Sequence, residues 1–199
     1  MSSFNNHTGN GLSRSRLAIF VSGGGTTFVN LADSIAQSRL SAGIDLVLAN
    51  RECLGIDRAQ QREIPSQVVI REHGESVESY SERLFQICRD REIDLVVLGG
   101  FLSRLSLPED FHQRVVNIHP SLIPAFCGQG MYGHHVHEAV LDRGCQVSGC
   151  TVHFCDNEYD HGPIIGQSVV PVLDGDTPES LAARVFEAEC ELYPRAIQA

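Results

Sequence analysis

The residues of this sequence best suited to chemistry stand in three places: Asn117 with His119, Asp160, and the run Gly23-Gly24-Gly25-Thr26-Thr27. Asn117 and His119 are two apart, and at the end of a strand that spacing turns both side chains to one side. An amide can donate to a developing oxyanion, and a protonated imidazole can donate while carrying positive charge. Pro120 and Pro124 stiffen the exit from that strand. The other reading of His119 is a structural imidazole satisfied by its neighbours. Asp160 lies in the acidic segment Asp156-Asn157-Glu158-Tyr159-Asp160-His161-Gly162-Pro163. A carboxylate beside His119 would stabilise its charged form. The alternative is a hairpin loop that is polar because it is exposed, and the spacing alone does not bring Asp160 to His119.

The glycine run follows a short apolar stretch and opens directly into a helical pattern. Free backbone amides at a helix start sit at the positive end of the helix dipole and suit a phosphate, with the Thr26 and Thr27 hydroxyls as further donors. The spacing is not G-x-G-x-x-G. Asn50 and Arg51 end the second strand where a dinucleotide site would place an acidic residue for the ribose, so a dinucleotide fingerprint is absent. A bare tight turn is the competing reading.

Composition removes several functions. The chain has 199 residues and a formal net charge of −10, against the basic face that a general nucleic-acid binder needs. All 15 basic residues are Arg. Without Lys, neither a Walker-type phosphate loop nor Schiff-base chemistry can operate on the chain's own residues. Seven Cys include no C-x-x-C pair and read as reduced, mostly buried thiols. His134, His135, His137, His153 and His161 invite a metal, but His135 and His137 do not share a helix face and no H-E-x-x-H or Cys partner completes a set; no metal is expected. The first fifteen residues lack an apolar core and are expected to be a disordered tail rather than a signal peptide, ahead of one domain over residues 16–199. No apolar run approaches the ~20 residues that span a bilayer, so no membrane association and a cytoplasmic location are expected.

The elements that must position these groups alternate. Apolar runs at 17–21, 44–49, 67–70, 94–98 and 115–118 read as strands. Helical patterns are placed at 28–40 through Phe28, Leu31, Ile35 and Leu40, at 56–62, and at 79–91. Continuously apolar strands between helices indicate a parallel sheet covered on both faces. A helix near 135–142, two strands in succession at 146–154 and 164–172, and a final helix at 177–197 opened by Thr177-Pro178 complete a mixed edge. The fold class is α/β: one Rossmann-like domain, mostly parallel, with an antiparallel C-terminal edge. In such sheets ligands sit beyond the carboxyl ends of the strands, where Gly23 to Gly25, Gly99-Gly100-Phe101 and Asn117 to Pro120 all fall.

With Asn117-Ile118-His119-Pro120-Ser121-Leu122 and Asp160-His161-Gly162-Pro163, the chain resembles the phosphoribosylglycinamide formyltransferases, folate-dependent enzymes of purine synthesis. The resemblance runs from about Leu17 to the C-terminus through Ser22-Gly23-Gly24-Gly25, Gly100-Phe101 and Tyr193-Pro194. It implies transfer of a formyl group from 10-formyltetrahydrofolate, as co-substrate, to the amine of glycinamide ribonucleotide. It also implies Asn117 and His119 at the formyl oxygen, with Asp160 sustaining the charge of His119. By the same resemblance Gly23, Gly24, Gly25, Thr26, Thr27, Gly100 and Glu189 bind the acceptor, and the folate pocket is lined by Leu102, Ser103, Arg104, Leu105, Asn117, Asp156, Asn157, Glu158, Tyr159 and Asp160.

The sequence departs from the family at Thr27, where many relatives have Asn, and at Val77, where a phosphate-binding Arg is common. The segment from Pro124 to Gly133 is longer than in many members. A formyltetrahydrofolate hydrolase, sharing the scaffold and giving the formyl group to water, is the rival enzyme. Pro124-Ala125-Phe126 has its flavour, but that family usually has two His after the Asn-Ile pair, where this chain has His119-Pro120. A non-catalytic phosphate- or folate-binding module is the rival of another class.

Overall fold

A computed structural model describes residues 14–199. The expected tail therefore lies, up to residue 13, outside the described residues, and its last residue, Ser15, opens the first strand. The sheet is built from β1 (Ser15–Val21), β2 (Ala42–Ala49), β3 (Ser66–Val68), β4 (Leu95–Leu98), β5 (Val115–His119), β6 (Val147–Phe154) and β7 (Ile164–Pro171). Its order is β3-β2-β1-β4-β5-β6-β7. The first five strands run parallel, and β6 and β7 pair antiparallel as the mixed edge expected from two strands in close succession.

The helices are α1 (Thr26–Ala36), α2 (Leu54–Gln60), α3 (Val77–Asp90), α4 (His134–Asp142) and α5 (Pro178–Gln198). Leu17 to Val21 are all fully buried because β1 is covered on both sides. Leu17, Ile19 and Val21 pack with Phe28 and Leu31 of α1, Ile56 of α2 and Tyr193 of α5. Ala18 and Phe20 face the opposite way, onto Tyr80, Leu84 and Phe85 of α3. A third cluster joins Val140 of α4, Cys150 of β6, and Leu181 and Val185 of α5.

Several boundaries shift by a residue or two from the sequence reading, and two differ in substance. Leu40 belongs to no helix: α1 stops at Ala36, Ser38 takes a left-handed φ of 57°, and Leu40 re-enters the core on the way to β2. β3 is only three residues long, although the Val69 amide still donates to the Ala49 carbonyl beyond it. Pro194 sits inside α5 and has no N–H for the Cys190 carbonyl one turn back. The Asn30 side chain of α1 donates to that carbonyl at 3.0 Å instead, which lets the helix continue. The neighbouring Tyr193 hydroxyl reaches the carbonyls of Leu98 and Val116, both at 3.0 Å, joining α5 to the tip of β4 and to β5.

The chain moves outward from β1 to β2 and β3, then crosses back to place β4 on the other side of β1. That reversal opens a crevice at the tips of β1 and β4. There the Ser22 amide donates to the Gly100 carbonyl at 3.1 Å, and the Ser22 hydroxyl accepts from the Leu102 amide at 2.8 Å. Among the described residues no helix is long and apolar enough to cross a membrane.

Candidate active site

β5 ends in Asn117 and His119, and their strand positions pair with His153 and Thr151 of β6. The β6–β7 turn brings Asp160 back over this pair. Asp160 holds φ at 52°, a left-handed conformation that Asp tolerates better than most residues, and Gly162 passes so close to the Phe154 carbonyl that no side chain would fit. Asp160 Oδ2 lies 3.5 Å from His119 Nδ1, and Oδ1 lies 3.7 Å from His153 Nε2. Both imidazoles are buried and the carboxylate nearly so.

The hydrogen bonds assign the protons. A carbonyl can only accept, so His119 Nε2 carries hydrogen where it meets the Phe126 carbonyl at 2.9 Å. His119 Nδ1 is then the nitrogen turned to Asp160, and a second proton there gives an imidazolium beside a carboxylate. By the same logic His153 Nδ1 donates to the Phe154 carbonyl at 2.9 Å. Its Nε2 accepts from Asn117 Nδ2 at 3.2 Å. Burial pushes His153 below the usual histidine range, keeping it neutral. A neutral His153 thus fixes which end of the Asn117 amide is the donor. Asp160 Oδ2 also accepts from the Gly128 amide at 2.9 Å.

These groups open onto a cavity of about 700 Å³. On one side Leu98, Phe101, Leu105, Leu107 and Cys155 form an apolar wall, and Asn157 ties its two segments together by accepting from the Leu107 amide at 2.8 Å. Arg104 lies over the Tyr159 ring, 5.7 Å from its centroid, at the rim. On the other side stand Thr27, His137 and, from α5, Ala182, Phe186 and Glu189. Burial pushes the Glu189 carboxyl up to about 7. The arrangement offers donors for an oxyanion, a charge-supporting carboxylate, an apolar slot for a flat ring system, and a carboxyl that titrates near neutrality. Among the described residues no group of three or more His, Cys, Asp or Glu side chains is arranged to hold a metal ion.

The family profile described as "Formyl transferase" matches residues 15–197. The chain belongs to the formyl transferase family. It is 39% identical over 190 residues to the chloroplastic phosphoribosylglycinamide formyltransferase of Arabidopsis thaliana, covering 94% of this chain and 65% of that protein. The chain thus spans slightly under two thirds of the length of the first curated relatives it matches. Among solved structures, glycinamide ribonucleotide transformylase 1 from Symbiobacterium toebii superposes with a TM-score of 0.88 at 33% identity, over 99% of this chain and 92% of that one. The phosphoribosylglycinamide formyltransferase from Brucella melitensis gives 0.84 at 38% identity, over 93% and 94%.

Of the residues singled out in the sequence, Asn117, His119, Asp160, Gly100, Thr27 and Glu189 all line the same cavity. So do Leu102, Ser103, Arg104, Leu105, Asp156, Asn157, Glu158 and Tyr159. Gly23, Gly24, Gly25 and Thr26 are not part of its wall; they lie beside it, leading up to Thr27. Gly25 takes φ 68°, and a Cβ there would come within 2.7 Å of Gly55 Cα, so the glycine is required. Of the clustered histidines, His134 and His135 face outward toward Glu179 and Glu138, while His137 turns inward. Sequence reasoning missed His153 and the tether at Phe126. The strand register Asn117–His153 could have exposed the first, but register across a long connection is not written locally.

Proposed function

We propose that this chain transfers a formyl group from 10-formyltetrahydrofolate to the amine of glycinamide ribonucleotide. The observation that carries the reading is the convergence of Asn117, His119 and Asp160 on one cavity, with His119 Nδ1 at 3.5 Å from Asp160. The folate ring system fits the apolar wall between Leu98, Phe101 and Leu107, and the acceptor fits the side bearing Thr27 and Glu189. The names of the relatives at 33–39% identity support the same chemistry.

The acceptor amine attacks the formyl carbon, and its C–O double bond becomes a tetrahedral oxyanion. The Asn117 amide, held by His153, donates to that oxygen, and the His119 imidazolium beside it supplies positive charge. Losing one such donor costs roughly 3 kcal/mol of barrier. Collapse breaks the bond to the folate nitrogen, which takes up the proton given up by the attacking amine; Asp160 and His119 stand where a water could relay it. Glu189 in its charged form favours the acceptor's ammonium end. The Gly23 to Thr27 turn, with its helix-start amides, takes the phosphate. The cytosolic location expected from the sequence belongs to this proposal and is supported by seven cysteines that are all unpaired thiols.

The test is an assay of the purified protein with 10-formyltetrahydrofolate, with and without glycinamide ribonucleotide. Tetrahydrofolate should form only when the amine is present. Release without the amine would replace this reading with the hydrolase, and binding of either substrate without turnover would replace it with a binding module.

A further inference from the structure

His137 is a buried polar side chain at this cavity that the mechanism above does not use. It lies on α4 between Val136 and Glu138, and only 4% of it is exposed. Its Nδ1 is fully buried and has no hydrogen-bond partner among the described residues. Among the described residues no main-chain carbonyl, carboxylate or hydroxyl compensates the ring, unlike both nitrogens of His153 and Nε2 of His119, which are hydrogen-bonded, and Nδ1 of His119, which faces Asp160. A buried polar group left unmet costs on the order of 1–3 kcal/mol, so a structural role alone gives no reason to keep it. Burial and the neighbouring His134 and His119 push His137 below the usual histidine range, and it remains a neutral ring. With Nδ1 sealed, Nε2 is its route to a ligand.

Its position indicates which ligand. α4 packs on α5, and His137 lines the same cavity as Phe186 and Glu189 of that helix. We infer that His137 is a further acceptor-contact residue, its neutral imidazole donating from Nε2 to an oxygen of the amine-bearing substrate and placing it beside His119. Nδ1 then keeps an unpartnered lone pair, which is cheaper to bury than an unpartnered N–H. The inference rests on the formyl-transfer reading for the identity of that substrate.

The experiment pairs His137→Phe with His137→Asn and measures glycinamide ribonucleotide binding by calorimetry beside steady-state turnover. Phenylalanine keeps the ring volume and removes the unmet nitrogen. The Phe variant should melt at or above the wild-type temperature while binding the acceptor roughly three- to tenfold more weakly, the worth of one hydrogen bond. KM for 10-formyltetrahydrofolate should stay unchanged. Asparagine, which can still donate, should recover part of the acceptor affinity. Equal acceptor affinity in wild type and the Phe variant overturns the inference and leaves the formyl-transfer reading standing. So does a parallel loss of both substrates with a lowered melting temperature, which marks a structural role. A wild-type protein that binds the acceptor more tightly than the Phe variant but never formylates it sinks the transfer reading and keeps the contact; one that does not bind it at all overturns both.

Discussion

The turn after β1 and the longer loop after β5 border the same cavity, yet they are held in different ways. Residues 23–27 are shaped by glycine and tied through the main chain: Gly25 supplies the left-handed φ and the close pass at Gly55, the Gly23 and Gly24 carbonyls accept from the Gly55 amide at 3.0 Å and the Arg58 guanidinium at 2.6 Å, and α1 begins at once. Residues 120–133 are fixed by groups far away in the chain. The Thr151 hydroxyl donates to the Ser121 carbonyl at 2.7 Å and accepts from the Ile123 amide at 3.0 Å, and Gln167 donates to the Ile123 carbonyl. The same loop then touches both His119, through the Phe126 carbonyl, and Asp160, through the Gly128 amide. The difference teaches that the extra loop length is not slack. Changes at the turn should act on acceptor affinity, and changes at the loop and its anchors should act on turnover.

The largest effect belongs to the loop's catalytic end. Asp160→Asn keeps an oxygen for the Gly128 amide but removes the charge beside His119. We expect kcat to fall by a factor on the order of 100 or more, with a melting temperature within a few degrees of wild type. A near-normal rate in that variant would take Asp160 out of the mechanism. At the turn, Gly25→Ala should cost about 1–3 kcal/mol of stability, read by denaturant unfolding, because the new Cβ meets Gly55 and the φ is strained. Its KM for the acceptor should rise more than its kcat falls. Thr151→Val should cost a comparable or smaller amount, about 1–2 kcal/mol, by orphaning the Ser121 carbonyl. Here kcat should fall more than acceptor KM rises, the reverse of Gly25→Ala. If both variants shift the same kinetic constant, the division of labour between the two segments is wrong.

The same contrast explains what could be read in the sequence. Core strands were legible because burial on both faces leaves a continuous apolar signature, as in Leu17 to Val21. The glycine turn and Asn117 with His119 were legible because their chemistry is local. Asp160 was readable as a candidate carboxylate from its acidic segment, but its approach to His119 was not, since that depends on the β5–β6–β7 register and on Gly162. The tautomers of His119 and His153, the tether at Phe126 and the inward turn of His137 depend on tertiary contacts with no local signal. The end of α1 was misjudged at Leu40 because a buried leucine in helical spacing looks the same whether a helix or a turn delivers it.

The effect that most sharpens the comparison is expected at Glu189, which shares the turn side of the cavity. Burial raises its pKa from 4.5 to about 7 in the folded chain. Between those values the native state keeps a proton that the unfolded chain has released, so the native state binds more protons and wild-type stability falls as pH rises through that window. Glu189→Gln cannot titrate. The melting temperature of the variant relative to wild type should therefore change little below pH 4.5, climb between 4.5 and about 7, and level off above. Over the same range wild-type affinity for the acceptor's ammonium should strengthen as Glu189 ionises, while the variant's stays flatter. A stability difference that does not move with pH would mean that Glu189 is better solvated than its place in the wall implies. The acceptor side of the cavity would then depend on the turn alone for its electrostatics.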